Sequence, residues 1–423
     1  MRLRFLTPWL LIVAGCGGGG GTSAKSPVLD AFHSTFKPYL AQDLWTETEI
    51  GDAGTWLAVP AIYAARTNNG EIMAEYRKFF DRMLDSITEL PSSDVHRIQF
   101  AYLIAVFIGE AHRHGLDASI PPKLPEFAAR EFKRLWNEKP AWQWVGPGFP
   151  GGIQEKVNWK LAAGPTSPSY LRVINDDEML TMCTAAELVK FARETGKLGS
   201  FLADLETATE LGVATVKVRG EDTSEGGWLF NRGLWYDHQD FEYSSYTTPP
   251  DPYGYQNGRR ANVAEPISNS MRLGAWLQSL QHGAQDSEDV SELRRIRGRM
   301  AWQILNRVAK KNPTNPNVRL AFTNYMDGHN GYYQYRSNSQ PGFEPSALSG
   351  TPFMGWWGML GGSSIGAMYD EMASMFPLSS REFYLYSIET NQYRNPAVRD
   401  PASFYSGLRW MVCKMAAEIA VRE

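Results

Sequence analysis

The chain has 423 residues, with 42 Lys and Arg against 46 Asp and Glu, a formal net charge of −4, 43% hydrophobic and 13% aromatic content, and three cysteines. That apolar content excludes disorder over the bulk of the chain, and the near-balanced charge offers no basic face for phosphates, so no nucleic-acid partner is expected. Three cysteines without C-x-x-C spacing make neither a disulfide scaffold nor a structural zinc site.

The first predicted element is a leader rather than part of the fold. Arg2 and Arg4 precede an apolar stretch from Phe5 to Val13, interrupted by Thr7 and Pro8, and the small residues Ala14 and Gly15 stand before Cys16. The stretch is far shorter than the ~20 residues that cross a bilayer as a helix. Val13-Ala14-Gly15-Cys16 resembles the lipobox of bacterial lipoproteins, in which the cysteine becomes the lipidated first residue of the mature chain. The resemblance implies a signal peptide over residues 1–15, lipidation at Cys16, and a place in the bacterial cell envelope, anchored to a membrane and facing the periplasm or the cell surface. Residues 16–25, which include Gly17 to Gly21, read as a flexible tether, and residues 26–423 as a single domain. Losing Arg2 and Arg4 would take the formal charge from −4 to −6. Cys183 and Cys413 then remain, both within helical patterns. An oxidising compartment would permit them to pair, but as small apolar side chains they read as unpaired core residues.

The body reads as helices. In residues 71–90, Ile72, Tyr76, Phe79, Phe80, Met83, Ile87 and Leu90 fall on one face at three- and four-residue steps, with Gly70 before them and Pro91 as a stop. Ser92-Ser93-Asp94 offers an N-cap for a second helix ending at about His114 before Gly115, and its centre, Phe100 to Ile108, is apolar all round. Further helical patterns cover about 41–66, 125–137, 177–195, 200–215, 262–283, 288–311, 353–376, 380–390 and 401–421. The expected fold class is all-α, with about 10–12 helices. Residues 319–325 and 332–336 flank Asp327-Gly328-His329-Asn330-Gly331 and are expected to form a small hairpin.

Three long segments, 138–176, 217–260 and 312–352, are polar and rich in Gly, Pro, Asn and aromatics. Loops of this length in a compact domain are usually functional, and their tryptophans would be costly to leave in water. The densest group runs from Gly227 to Tyr243 and joins Trp228, Asn231, Trp235, Tyr236, Asp237, His238 and Tyr243. Sugar sites want this mixture, because pyranose CH faces stack on aromatic rings while short polar groups fix the hydroxyls. The helix that follows carries Glu265, Asn269 and Arg272 on one face, with Arg259 just before it. A third cluster holds Asp327, His329 and Tyr333, where Asp327 also suits the turn itself. No H-E-x-x-H, P-loop, Rossmann or G-x-S-x-G pattern is present, so neither a metal nor a cofactor is expected.

Lipobox, helical body and aromatic loops together resemble bacterial (α/α)-toroid carbohydrate-active proteins, the polysaccharide lyases and toroid glycosidases. The resemblance implies an (α/α) toroid and an enzyme acting on a polysaccharide or glycoconjugate. For β-elimination, His238 and Tyr243 would be base and acid, Arg259 or Arg272 the carboxylate clamp, and Asn231 a neutralising donor. For hydrolysis, Asp237 with Asp327 or Glu265 would be the carboxylate pair. Trp228, Trp235, Tyr236, His329 and Tyr333 would complete the glycan surface. A glycan-binding or structural envelope lipoprotein without catalysis is the competing expectation.

Overall fold

The computed structural model describes residues 26–46, 49–91, 94–143, 148–162, 168–238, 241, 261–311, 318–331, 344–387 and 407–423. The leader, Cys16, the tether to residue 25, Tyr243, Arg259 and Tyr333 lie outside the described residues. The described residues are mostly helical, 68% helix and 5% strand. Helices α1 (Pro27–Leu40), α2 (Ile50–Trp56), α3 (Ala58–Arg66), α4 (Gly70–Ser86), α5 (Asp94–Arg113), α6 (Leu124–Lys133), α7 (Gly152–Ala162), α8 (Asp176–Thr195) and α9 (Leu202–Arg219) come first. A short antiparallel pair follows, β1 (Gly220–Asp222) with β2 (Trp228–Phe230). Then come α10 (Ile267–Ser270), α11 (Leu273–Gly283), α12 (Ser287–Gln303), the antiparallel pair β3 (Ala309–Lys311) and β4 (Leu320–Phe322), α13 (Ser363–Ser374), α14 (Ser380–Ser387) and α15 (Leu408–Arg422).

Local chemistry explains the clearest elements. The Asn69 side chain accepts from Ile72 N at 3.1 Å and starts α4, whose stripe of Ile72, Tyr76, Phe79, Phe80 and Met83 is buried. Every residue from Phe100 to Ile108 in α5 is buried, as an element covered on all sides requires. Gly54 of α2 lets the backbones of α2 and α5 touch, since a Cβ there would lie 2.5 Å from the Gln99 carbonyl carbon. Cys183 and Cys413 are buried and unpaired.

Several expected boundaries move. The 41–66 pattern divides at Leu57, and α1 and α7 arise where no helix was expected. The 262–283 pattern divides around Met271, separating α10 from α11. The 353–376 pattern is not one helix: Gly355, Gly361 and Gly362 take φ of 80°, 78° and 93°. These left-handed positions leave tight turns over Ala347–Met354 and Trp356–Leu360 ahead of α13. The first strand of the expected hairpin has another partner. Leu320–Phe322 pairs backwards with Ala309–Lys311, which the helical pattern 288–311 had absorbed, because that helix loosens into a π turn over Ile304–Val308. Residues 332–336 lie outside the described residues.

Helix α5 packs on α2, α3, α6 and α8, and α8 packs on α9 and α11. Helix α11 meets α12 and the Trp356–Leu360 turn, and that turn meets α15, which also packs on α1, α3 and α13. Ion pairs give the directions. Arg66 meets Glu110 at 2.7 Å and Glu423 at 3.4 Å, Arg113 meets Glu187 at 2.6 Å, and His282 lies 3.6 Å from Glu187. The C-terminal ends of α3, α5, α11 and α15 therefore gather in one buried ionic cluster beside α8. At the other end, Arg272 joins Asp176 at 2.5 Å and Thr55 Oγ1 at 3.3 Å. Helix α1 runs alongside α4, with His33 on Glu71 at 2.9 Å and Arg82 on the Leu40 carbonyl at 2.7 Å. Since α4 follows the C-terminus of α3, α1 begins at the ionic-cluster end.

Candidate active site

A cavity of about 270 Å³ opens where α8 and α10–α11 begin. Trp142, Tyr170, Trp235 and Trp276 supply its aromatic walls, and Asn175, Asp176, Asp177, Lys156, Lys160, Glu265 and Asn269 its polar groups. Trp142 is 64% exposed, a broad apolar ring at the rim.

Glu265 is positioned by an extended segment just before α10. Met326 N donates to its carbonyl at 2.9 Å, Ile267 N donates to the Asn324 carbonyl at 2.9 Å, and Pro266 bridges to Tyr325. Its side chain is buried, with three donors around it. Asn231 Nδ2 at 2.7 Å and Trp235 Nε1 at 3.3 Å donate to Oε1, and the Ser270 hydroxyl donates to Oε2 at 3.2 Å. Burial pushes the Glu265 carboxyl up to about 7 and the Asp176 charge adds to the rise, while the three donors oppose it. Both donors at Oε1 are N–H groups that cannot accept, so when this carboxyl is protonated the proton sits on Oε2 and the Ser270 hydroxyl turns from donor to acceptor.

Asp176 opens α8 and is bound by Arg272. Its carboxyl is also raised, first by burial and then by Asp177 and Glu178, against the opposing Arg272. The 32% of its side chain that stays exposed limits the size of that effect. Behind it, Lys156 and Lys160 stand one turn apart on α7. Lys156 reaches Asp177 at 2.7 Å and Glu178 at 2.8 Å; Lys160 reaches Glu178 at 2.5 Å and the Val173 carbonyl at 2.6 Å. Burial lowers the Lys160 ammonium against the pull of Glu178, whereas for Lys156 the two carboxylates outweigh burial and raise it. A carboxyl that holds its proton near neutrality beside one paired with a guanidinium is an arrangement suited to general acid and base work.

The expected site residues scatter. Glu265 and Trp235 line the cavity, and Asn231 touches it through Glu265. Arg272 clamps a protein carboxylate, Asp176, rather than standing open for a substrate. Asp237 is a backbone clamp, accepting from Ser169 N at 2.5 Å, Ser169 Oγ at 2.9 Å and Tyr170 N at 3.2 Å. His238 packs edge-on against Tyr170 at 4.7 Å and Trp235 at 5.4 Å and is not part of the lining. Trp228 is buried and stacked on Phe230 at 5.7 Å, away from the cavity, while Tyr236 is exposed and outside the lining. Asp327 and His329 pair at 3.0 Å in a separate pocket with Arg232 and Arg307, a pocket that Asp237 does not line. The expected acid Tyr243, the expected clamp Arg259 and Tyr333 of the glycan surface lie outside the described residues.

Asp176, Asp177, Lys156, Lys160, Tyr170 and Trp276 were missed. The available signal was Asn175-Asp176-Asp177-Glu178 at the head of a helix that is otherwise buried on most sides, where three carboxylates exceed what an N-cap needs. Among the described residues no group of three or more His, Cys, Asp or Glu side chains is placed to hold a metal ion. Comparison with protein-family models, with curated proteins and with solved structures finds no match for this chain.

Proposed function

We propose that the protein is an extracytoplasmic, lipid-anchored glycoside hydrolase built as an (α/α) toroid. The toroid reading is supported by a closed cycle of packed neighbours: α3, α5, α8, α11, the Trp356–Leu360 turn, α15, and α3 again. Helices α4 and α1 each pack on one member of that cycle and α6, α9, α12 and α13 on two neighbouring members, as an outer layer would. The cavity lies at the N-terminal end of the cycle and the ionic cluster closes the other.

One observation carries the hydrolase reading. Glu265 sits in an aromatic-walled cavity with its carboxyl raised to about 7, and Asp176 stands close enough for its charge to contribute. In glycoside hydrolysis one carboxylic acid protonates the leaving oxygen while a second carboxylate acts as base or nucleophile. Glu265 is the acid and Asp176 the partner. Asn231, Trp235 and Ser270 hold the acid, and Arg272 keeps the partner oriented. Elimination is less well served, since His238 stands outside the lining and the carboxylates would oppose an anionic polymer.

The test is incubation of the mature protein with a panel of neutral and acidic glycans. New reducing ends without near-ultraviolet absorption are expected. Unsaturated, absorbing products would replace the hydrolase with a lyase, and uncut glycan retained on the protein would make it a binding lipoprotein.

A further inference from the structure

The three long segments that the sequence sets apart converge on one wall of the cavity. Val173 from the first, Trp235 and Phe241 from the second and Tyr325 from the third pack with Val263 in a hydrophobic cluster separate from the main core, and Tyr170 packs against it. Trp235 stacks on Phe241 at 5.0 Å and donates to Glu265, while Tyr170 meets His238 edge-on.

Within that wall, residues 169–174 are held from outside at three points. Ser169–Arg172 is a single tight turn entered from the extended Pro168, whose side chain can cap nothing. Asp237 supplies the missing cap from another segment, accepting from Ser169 N, Ser169 Oγ and Tyr170 N at the open start of the turn. Further on, Lys160 Nζ donates to the Val173 carbonyl at 2.6 Å and Asn231 Nδ2 to the Ile174 carbonyl at 2.9 Å. These two hold the end from which α8 and Asp176 start. Asp237 holds the other end, and with it Tyr170.

Tyr170 lines the cavity, half-buried, with its hydroxyl open to solvent and bonded to no described residue. A phenol offers an apolar ring for sugar CH groups and a hydroxyl that donates and accepts as sugar hydroxyls do. Held in place beforehand, it loses less freedom when a ligand arrives.

We infer that Tyr170 is a specificity-determining residue of the cavity, its hydroxyl bonded to a hydroxyl of the bound sugar, and that Asp237 is a positioning residue acting through it. This rests on the cavity being the glycan site of the hydrolase reading and gives that site its first substrate contact.

The experiment follows cleavage by the wild type and equilibrium binding to a Glu265→Gln protein, which cannot turn the ligand over. The probes are cello-, malto- and chito-oligosaccharides and oligogalacturonides of equal length, and the series bound most tightly serves for the variants. Tyr170→Phe removes the hydroxyl and keeps the ring. It is expected to weaken binding and raise KM by roughly threefold to tenfold, with kcat within about twofold and the melting temperature unchanged. Asp237→Asn sets an amide N–H against donors that need an oxygen, and is expected to weaken binding by a similar factor with kcat again kept. Combined with Tyr170→Phe it should add less than its own factor, because residues acting through one another are not additive.

A Tyr170→Phe protein with wild-type affinity overturns the specificity role. An Asp237→Asn protein with wild-type affinity, or an effect that adds in full to that of Tyr170→Phe, overturns the positioning role. If Asp237→Asn does not fold, Ser169→Ala, which removes one of the three donors to Asp237, carries the same comparison. The hydrolase reading fails separately. Glycan bound through Tyr170 but never cut leaves the inference and overturns the hydrolase. Glycan cut by Tyr170→Phe with an unchanged KM leaves the hydrolase and overturns the inference. Absence of binding by every probe overturns both.

Discussion

Asn231 donates from Nδ2 to Glu265 Oε1 at 2.7 Å and to the Ile174 carbonyl at 2.9 Å, from a backbone position with φ of 49°. Asparagine tolerates this left-handed conformation better than most residues. One amide thus ties the end of β2 to the approach of α8 and to the carboxyl in the cavity. The two elements that bring Glu265 and Asp176 together share this tie.

Glu265→Gln is expected to abolish hydrolysis, because the amide has no proton to give at neutral pH. The same substitution should change stability with pH in a defined direction. The folded carboxyl titrates near 7, above its ordinary 4.5. Its contribution to stability is therefore full below about 4.5 and is lost as pH rises through 7. Glu265→Gln should gain ~1–3 kcal/mol relative to wild type at pH 8 and little at pH 4. Denaturant titrations of both proteins at the two pH values check this; a variant less stable at pH 8 would mean that the carboxylate is welcome in its site.

Asp176→Asn is expected to lower turnover by roughly 10²–10⁴-fold, the range for a lost acid or base. The Asp176 charge helps raise Glu265, so its removal should also move the alkaline limb of the pH–rate profile to lower pH. A residual-activity profile with an unshifted limb would separate the two carboxyl groups.

His238→Ala is expected to act on the fold. The imidazole supports Tyr170, Trp235 and Phe241 edge-on, and the variant should lose ~0.5–3 kcal/mol of stability. Turnover per folded molecule should stay within about tenfold of wild type, well short of an acid/base loss. Turnover abolished at unchanged melting temperature would return His238 to the chemistry.

Phe80→Ala should cost about 3–5 kcal/mol, the usual cost of emptying a buried aromatic site. Phe80 is fully buried and meets Phe79 at 5.2 Å and Phe107 at 5.0 Å, which ties α4 to α5. Urea unfolding gives the value directly.

Cys16→Ser should release the protein from the membrane or leave an unprocessed precursor, since it removes the thiol that would accept the lipid. Detergent-phase partitioning like that of the wild type would refute the anchor.

The sequence alone determined the helical class and much of the core, because a stripe such as Ile72 to Met83 is set by the period of the helix and needs no distant partner. It also marked Glu265 and Trp235, since their segment gathers carboxylates and aromatics within reach of a helix start. Tertiary structure decided which carboxylates meet. Asp237 and Glu265 look alike in the chain, yet one is saturated by the Ser169–Tyr170 backbone and the other is buried in the cavity wall. Asp176 reads as an ordinary helix-start acid until α8 and α11 pack and bring Arg272 and Glu265 beside it. Period and composition act over a few residues, whereas burial and the field of a neighbouring charge depend on groups ninety positions away, so only the packed chain could raise Glu265 and make a site.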